Sequence, residues 1–380
     1  MRITRGNHLT YCLNVHGGET WDDQRRAVDC DAVAVRDAVG ASGPFGLGLR
    51  ISGQAAAELT RAPDRVAAFR DELDAAGLYV FTVNAFPAGR FHGGGVKDNV
   101  YRPDWADPAR LEYTLQVADI LARLLPPDVD GSVSTAPLTF KGWDGWEARI
   151  DHGLERLVRA AARLAALERR TGRRIVLGIE PEPGCYPETT GELIAVIERL
   201  AAAGGDRVRA HVGCCFDAAH QMVAFEAIGR DLERLAAAGV RIAKAQLSAA
   251  IEAPCTDAAL AELARFRDAT YLHQVAQRDA IGRLHRWNDL PAFLDSDPTG
   301  RGGVARIHYH VPLFIDRFGT LRGTGRLLRE DGALRALAAA TAHLEVETYT
   351  WDIWRRTVGD ATPLAEGIAR ELRWVREGLA

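Results

Sequence analysis

The stretch HLEVETYTW, residues 343–351, places two carboxylates in a segment whose other residues are typical of a buried β-strand. Glu345 and Glu347 share one face of such a strand, and Leu344 and Val346 share the other, because side chains alternate along a strand. A carboxylate removed from water is costly unless a cation or hydrogen-bond donors compensate it. We therefore expect the partners of these two glutamates elsewhere in the chain.

Seven further short β-rich runs precede this stretch, and longer amphipathic or alanine-rich segments separate them. The eight predicted strands are Thr10–His16, Phe45–Ser52, Leu78–Asn84, Gly131–Thr135, Arg174–Glu180, Val212–Asp217, Arg241–Ser248 and His343–Tyr349. The clearest helices are predicted over Trp146–Glu168 and from Pro108 onward, where apolar residues recur every three or four positions. Eight strand–helix units in series favour an α/β fold of the closed (β/α)8 TIM barrel type over an open doubly wound sheet.

Two long segments interrupt this alternation. Phe86–Trp105 follows the third predicted strand, and Ile251–Glu330 separates the seventh from the eighth. In the second segment we predict a hairpin from TYLHQV and RLHRW, and an extra strand or ordered loop from RIHYHVPLF near the barrel mouth. Residues 1–380 are thus predicted to form one TIM-barrel domain with an inserted segment at about 251–330.

Composition narrows the class of protein. Hydrophobic residues make up 47% of the 380 and charged residues 26%, which is typical of a soluble globular protein. The formal charge of −4 offers no bulk attraction to nucleic acid or anionic membranes. The longest apolar runs are far shorter than the roughly 20 residues that span a bilayer, and the N-terminus lacks an apolar signal core. We expect a cytoplasmic protein without membrane insertion or a nucleic-acid partner. The sequence is compatible with a homo-oligomer.

Acidic, imidazole, amide and ammonium groups stand at the C-terminal ends of four consecutive predicted strands. They are Glu180 after the fifth, Asp217 and His220 after the sixth, Lys244 and Gln246 in the seventh, and Glu347 in the eighth. Barrel strands all end at the same mouth, and carboxylates, imidazoles and amide oxygens from separate elements bind divalent cations. We therefore predict a divalent cation, Zn, Mn, Mg or Co, beside Glu347. Asp217 is also in the position of an ordinary helix cap.

Further histidines flank the same mouth in the predicted arrangement. His308 and His310 share one face of a strand in the inserted segment and are predicted to be ligands or substrate contacts. His16 and Glu19 end the first strand, and His92 lies in the irregular loop after the third strand. We predict substrate contacts for these three residues, and Lys244 would suit an oxyanion or a phosphate.

This set of residues resembles the xylose isomerase-like TIM barrels, which include sugar epimerases, inosose dehydratases and endonuclease IV repair enzymes. The resemblance lies in Glu after the fifth strand, Asp-x-x-His after the sixth, polar residues in the seventh and Glu in the eighth. Within that superfamily, the chain resembles the metabolite traffic protein EboE family. The segments that carry this resemblance are LTYCLNVHGGETW, FGLGLRIS, LYVFTVNAFPAGRFHGGGVKDNVYRPDW, GSVSTAPL, IHYHVPLF and VETYTWD.

The resemblance implies a metal-supported barrel and a carbohydrate-like or cyclitol-like substrate. It implies metal-ligand roles for Glu180, Asp217 and Glu347, and a role in binding metal or substrate for His220. A histidine is usual in the seventh strand, where this chain has Lys244 and Gln246. The resemblance leaves open whether Gln246, through its amide oxygen, or His308 or His310 takes its place.

Two glutamates on either side of a cation suit proton transfer at carbon. Glu180 and Glu347 would remove and return a proton alpha to a carbonyl, as in epimerisation and aldose–ketose isomerisation. We expect a metal-dependent isomerase, epimerase or dehydratase that acts on a polyhydroxylated metabolite in an ebo-type biosynthesis or traffic pathway. Two alternatives remain: a non-catalytic metabolite carrier, and an endonuclease IV-like phosphodiesterase, for which the chain lacks a basic stripe and the seventh-strand histidine.

Overall fold

Eight parallel strands form a barrel in the computed structural model, which describes residues 1–3, 6–91 and 96–380. They are β1 (His8–Tyr11), β2 (Phe45–Arg50), β3 (Leu78–Ala85), β4 (Gly131–Thr135), β5 (Ile175–Ile179), β6 (Val212–Asp217), β7 (Ile242–Leu247) and β8 (His343–Val346). Their order is β1-β8-β7-β6-β5-β4-β3-β2, and a parallel bridge between Cys12 and Gly48 joins β1 to β2. The predicted (β/α)8 barrel is confirmed.

Each predicted strand overlaps an observed one, and the largest difference is in the first. That strand was expected to run to His16 but ends at Tyr11, because the 3-10 turn Leu13–Val15 bends the chain. β8 ends at Val346, so Glu347 stands just beyond the strand. The barrel mouth is therefore built from the last residues of the strands and from the residues that directly follow them.

Helices alternate with the barrel strands, and four of those described, between residues 257 and 329, belong to the inserted segment. They are Trp21–Arg26, Val33–Val39, Gly53–Arg61, Pro63–Ala75, Pro108–Leu124, Ile150–Thr171, Thr190–Gly204, Asp206–His211, Ala218–Val223, Ile228–Ala237, Asp257–Leu263, Leu290–Leu294, Pro298–Arg301, Arg326–Arg329, Ala333–Ala340, Trp351–Val358 and Leu364–Leu379, with a π-helical stretch at Ala27–Ala32. Pro108 starts its helix as predicted, and Asp107 caps it by accepting a hydrogen bond from the Ala109 N–H at 2.9 Å. The other predicted helix begins with the 3-10 turn Trp146–Arg149.

The inserted segment folds into a six-stranded antiparallel sheet at the mouth. Its strands, in spatial order, are Leu284–Trp287, Val275–Arg278, Val304–Val311, Ala249–Pro254, Leu321–Gly323 and Arg317–Phe318. The predicted hairpin exists, although its first strand begins only at Val275, and RIHYHVPLF does contain a strand. Ala249 follows β7 after one residue, so the inserted sheet starts slightly earlier than position 251.

The loop after β3 contacts the inserted segment. The N–H groups of Val96 and Lys97 both donate to the Thr270 carbonyl at 2.9 Å, at the start of the 3-10 turn Lys97–Tyr101. His92, a predicted substrate contact in this loop, lies outside the described residues. In the described part of the chain, no helix has both the length and the apolar character needed to cross a membrane.

The interior of the barrel is lined with polar side chains, and glycine makes room for them. A Cβ atom at Gly48 on β2 would overlap the carboxylate of Glu345. At the N-terminal end, His343 Nδ1 lies 2.8 Å from Ser132 Oγ, and its ring contacts Phe81 at a centroid distance of 5.0 Å. Burial lowers the pKa of His343 to about 3.

Because His343 is buried with a lowered pKa, we predict that the fold becomes less stable as the pH falls. The pKa of His343 in the folded state lies below the value of about 6.5 expected when unfolded. Between these two pH values the unfolded chain binds a proton that the folded chain does not, so the free energy of unfolding should fall as pH falls. The slope from one such group is about 1.4 kcal/mol per pH unit.

Urea unfolding from pH 7 to pH 4.5, with a chelator present, would measure this slope. His343→Gln should have a shallower slope than the unmodified protein, whatever its absolute stability. His152→Gln is the control, because that side chain is exposed on a helix. Equal slopes for His343→Gln and the unmodified protein would contradict the assignment.

Candidate metal and substrate site

Three carboxylates converge at the C-terminal mouth of the barrel. Glu180 directly follows β5, Asp217 ends β6 and Glu347 follows β8. All three are buried. Burial and the neighbouring Glu347 raise the pKa of Glu180 above its usual value, and burial and Asp217 do the same for Glu347. Buried carboxyl groups that lie this close together are either protonated or compensated by positive charge.

Asp217 is a helix cap and also carries an oxygen that the cap does not use. Its Oδ1 accepts hydrogen bonds from the His220 N–H at 3.0 Å and the Ser248 hydroxyl at 2.7 Å. No hydrogen-bond partner for its Oδ2 is present among the described residues, and this oxygen lies 4.0 Å from His220 Nε2. The capping role expected of an Asp at this position therefore leaves one oxygen available for a ligand.

Three imidazoles face these carboxylates, and each has its Nδ1 against a carbonyl oxygen. His220 Nδ1 lies 2.9 Å from the Pro181 carbonyl, His308 Nδ1 lies 2.8 Å from Gln274 Oε1, and His310 Nδ1 lies 2.6 Å from the Glu347 carbonyl. An oxygen acceptor fixes the proton on Nδ1 and leaves a lone pair on Nε2. This is the arrangement that orients metal-binding histidines.

The Nε2 atoms of His220 and His308 are 3.0 Å apart. Burial lowers the pKa of His220 to about 3 and lowers that of His308 well below its usual value, so both rings are neutral near pH 7. Two lone pairs at this distance repel each other unless a cation lies beside them. His310 Nε2, close by, has no hydrogen-bond partner in the described part of the chain.

These donors fit a divalent cation. Three sets have ligand atoms within 4.8 Å of one another: His220 with His308 and His310, Glu180 with Asp217 and His220, and Asp217 with His310 and Glu347. Carboxylate and imidazole donors together suit a borderline transition-metal ion, and unpartnered Asp217 Oδ2 and His310 Nε2 are both consistent with one. The two histidines of the inserted segment thus lie within the same group of possible ligands as His220, Asp217 and Glu347.

Gln246 orients Glu347 and does not turn an oxygen toward the other donors. Its Nε2 donates to one carboxylate oxygen of Glu347, and its Oε1 accepts from the Cys215 thiol. Asn14 donates to the other Glu347 oxygen at 2.7 Å. The Gln246 side chain therefore presents its N–H₂ group, and not its oxygen, to the predicted ligand Glu347.

Lys244, predicted to contact substrate, lies one layer below the cavity. Its Nζ contacts the Glu345 carboxylate and lies 3.2 Å from Asn84 Oδ1, and both charged side chains are fully buried. Burial lowers the pKa of Lys244, but Glu345 outweighs this and holds it above its usual value. Strand alternation showed which face Lys244 occupies, but not its depth in the barrel.

Two more predicted substrate contacts lie away from the cavity. His16 Nε2 is 2.9 Å from the Tyr11 hydroxyl, and its Nδ1 is 3.6 Å from Asp31. Glu19 binds Arg50 at 2.7 Å and accepts from the Phe91 N–H at 3.0 Å. Glu19 therefore anchors the loop after β3.

A narrow cavity of ≈ 50 Å³ lies at the mouth, and the residues that line it include five of the candidate metal ligands, namely Glu180, His220, His308, His310 and Glu347. The described residues of its wall include five phenylalanine and tyrosine rings, and three of these rings, from separate loops, meet there. Phe91, Tyr271 and Tyr349 have ring centroids 5.2–5.4 Å apart. Sequence reasoning missed these rings and also Glu182, two residues after Glu180, whose pKa burial raises to about 8.

A larger cavity of ≈ 770 Å³ lies at the opposite end of the barrel, among the chain termini and the segment before β2. Active sites of (β/α)8 barrels lie at the C-terminal ends of the strands. The described donor sets that suit a metal ion all lie at the C-terminal mouth. The smaller cavity is therefore the candidate functional site.

The C-terminal helix holds two loops of the mouth in place. Glu371, fully buried in Leu364–Leu379, accepts hydrogen bonds from Thr348 Oγ1 at 2.7 Å, Trp351 Nε1 at 2.8 Å and the Leu313 N–H at 3.0 Å. Burial raises the pKa of Glu371 to about 7. This carboxyl group joins the loop after β8 to the chain that follows His310.

Solved structures show the same fold. A xylose isomerase-like TIM barrel protein from Mycobacterium smegmatis in complex with magnesium is 14% identical, with 98% of this chain and 96% of that chain covered and a TM-score of 0.54. The IolI protein with a bound zinc atom is 11% identical, with 98% of each chain covered and a TM-score of 0.51. No protein-family model and no curated protein sequence matches this chain. The fold is that of the xylose isomerase-like TIM barrels.

We predict that loss of one charge from the buried Lys244–Glu345 pair strongly destabilises the fold. Lys244→Met should lower the free energy of unfolding by about 3–5 kcal/mol, because it leaves the Glu345 carboxylate buried without its cation. The double variant Lys244→Met/Glu345→Gln should recover most of that loss. Urea unfolding at pH 7 would measure both.

Arg170→Met is the control, because the Arg170–Asp119 pair is exposed and should contribute little. A loss for Lys244→Met no larger than that of the control, or a double variant less stable than the single one, would show that the two charges do not compensate each other.

Proposed function

We propose that this protein is a metal-dependent isomerase, epimerase or dehydratase that acts on a sugar-like or cyclitol-like small molecule. The proposed ligands of the cation are Glu180, Asp217, His220, His308, His310 and Glu347. The observation that carries the proposal is the meeting of three imidazole Nε2 atoms, each oriented through Nδ1, with buried carboxylates at the barrel mouth. Two proteins of the same fold hold zinc or magnesium, which supports it.

Among the cations expected from the sequence, we propose Zn²⁺ or Co²⁺. Imidazole donors suit these ions, whereas Mg²⁺ prefers oxygen ligands and retained waters. When bound, such a cation polarises a substrate oxygen and orients the substrate. Positive charge there also offsets the repulsion among the three carboxylates.

The side chains of the mouth divide the remaining work. Glu180 lines the cavity, and we propose that one of its oxygens takes a proton from a substrate carbon. Glu347 is held by the amides of Asn14 and Gln246 and is the proposed second carboxylate, which returns the proton. The aromatic rings of Phe91, Tyr271 and Tyr349 keep bulk water from the reacting atoms.

The pathway proposal rests on the sequence resemblance to EboE proteins. We propose that the substrate belongs to an ebo-type biosynthesis or traffic pathway. We also propose that barrel and insertion form one domain, because the strand Val304–Val311 of the insertion supplies two of the proposed ligands.

Metal analysis tests the ligand set. We expect one divalent cation per chain in protein reconstituted with Zn²⁺ or Co²⁺, and weaker binding by about tenfold or more in His308→Gln and His310→Gln. The triple alanine variant of Glu180, Asp217 and Glu347 should bind none. Elemental analysis, calorimetry and the Co²⁺ absorption spectrum measure these changes.

His285→Gln is the matched control, because this imidazole lies on the inserted sheet but is bound to Asp279 at 2.9 Å, away from the cavity. Undiminished metal binding in the triple variant would place the site elsewhere.

Isotope exchange tests the chemistry. A sugar or cyclitol substrate should exchange a carbon-bound hydrogen with solvent deuterium, and the exchange should require the cation. Glu180→Gln should lower the exchange rate by roughly 10²- to 10⁴-fold while it keeps most of the shape of the side chain. Glu347→Gln should lower both exchange and metal affinity.

Mass spectrometry or proton NMR in deuterium oxide records the exchange. Wild-type exchange in both glutamine variants would remove these glutamates from the mechanism. Tight binding of a sugar or cyclitol without exchange would replace the enzyme assignment by that of a carrier, and nicking of abasic duplex DNA would support a phosphodiesterase.

A further inference from the structure

A chain of hydrogen bonds leads from the proposed metal site to a fourth carboxyl group, that of Glu182. His308 Nδ1 donates to Gln274 Oε1 at 2.8 Å, and Gln274 Nε2 donates to the Tyr101 hydroxyl at 2.8 Å. The Tyr101 hydroxyl in turn donates to Glu182 Oε1 at 2.7 Å. Because the amide of Gln274 has one acceptor end and one donor end, the direction of every link is fixed.

The other oxygen of Glu182 is not used by this chain. Among the described residues, Glu182 Oε2 has no hydrogen-bond partner, although the residue is only 5% exposed and lines the cavity. Buried polar atoms are nearly always paired, so an unpaired oxygen at a cavity wall indicates a ligand contact. The backbone of Glu182 is fixed as well, since its N–H donates to the Pro187 carbonyl at 3.2 Å.

The wall next to Glu182 is a stack of aromatic rings. Tyr101 lies between Phe140 and Phe86, with centroid distances of 5.0 and 5.9 Å and interplanar angles of 15° and 14°. Phe86 and Tyr101 both line the cavity, and Phe86 is partly exposed. Aromatic rings pack well against the apolar C–H face of a ring compound that carries its hydroxyls at the edge.

Positive side chains for a phosphate are not available in the described wall. Lys97 is the one lysine or arginine among the described residues that line the cavity. Its Nζ already donates to Asp289 Oδ2 at 2.7 Å and to the carbonyls of Tyr271 and Asp268 at 2.9 and 3.0 Å. Phosphate recognition needs cationic donors that are free to turn to the ligand.

We propose that Glu182 is a substrate-binding residue whose Oε2 makes a hydrogen bond to a hydroxyl of an unphosphorylated ring polyol, and that Phe86, the partly exposed ring of the stack, contacts the C–H face of the same molecule. This inference rests on the proposed function, since it concerns the substrate of that site. Tyr101 acts through Glu182 as a positioning residue, because its hydroxyl fixes the other carboxyl oxygen.

Ligand binding to metal-reconstituted protein tests the inference. The probes are free ketohexoses, aldohexoses and inositols, each beside its phosphate ester, screened by thermal shift and measured by calorimetry. At least one free polyol should bind, and its phosphate ester should bind about tenfold more weakly or worse. Glu182→Leu should weaken binding of the free polyol by about tenfold, and Tyr101→Phe by a smaller factor. Metal content should not change in either variant.

Glu188→Leu is the matched control. Glu188 belongs to the same loop and is similarly buried, but it pairs with Lys141 and Arg286, each at 3.0 Å, and does not line the cavity. Its replacement should lower the melting temperature without changing the Kd of the polyol. Tyr101→Phe, which keeps the ring, supplies a second test if Glu182→Leu does not fold.

Three results would overturn the inference. One is an unchanged Kd in Glu182→Leu and Tyr101→Phe, and another is tighter binding of a phosphate ester than of the free polyol. The third is the failure of every free polyol to bind protein whose metal content is normal, which leaves the metal site standing. Failure of the unmodified protein to bind a divalent cation would instead refute the proposed function.

Discussion

The cost of burying charge along the barrel axis is the constraint on which the rest of the structure depends. Glu345 and Glu347 lie two residues apart on one face, and both are buried. Lys244 compensates Glu345 from the neighbouring strand. One layer higher, Glu347 stands beside Asp217, and the described contacts to its carboxylate are neutral amide donors. The lower layer is neutralised within the chain, whereas the upper layer is compatible with an added cation.

The inserted sheet adds two histidines to the upper layer of polar groups at the mouth. Its strand Ala249–Pro254 follows β7 after a single residue and pairs with Val304–Val311, with Ile251 opposite Ile307. This pairing carries His308 and His310 back over the mouth to His220. Two imidazoles about sixty positions beyond the seventh strand thus lie beside His220, brought there by a strand of the inserted sheet.

The outer contacts of the site tie separate loops together. Gln274 of the insertion, Tyr101 of the loop after β3 and Glu182 of the loop after β5 form one directed chain to His308. Gln274 is the direct partner of His308 and fixes the tautomer and orientation of that imidazole, whereas Tyr101 and Glu182 lie further along the chain of hydrogen bonds, at the cavity wall. One chain of hydrogen bonds therefore links the candidate metal ligand His308 to Glu182 at the cavity wall.

The sequence by itself determined the barrel and the acidic ends of its strands. Alternating β-rich and helical segments predict eight units, and a glutamate after an apolar strand predicts a carboxylate at the mouth, because both follow from local periodicity. Local periodicity does not determine how deep a side chain lies in the barrel or which groups it contacts. The spacing of Lys244 and Gln246 predicts that both lie on one face of the seventh strand. Only the tertiary structure showed that Lys244 lies below the cavity and that the side-chain oxygen of Gln246 accepts a hydrogen bond from Cys215. The place of His308 was likewise decided by tertiary structure, since the pairing of distant strands depends on side-chain packing and hydrogen bonds between segments far apart in the chain.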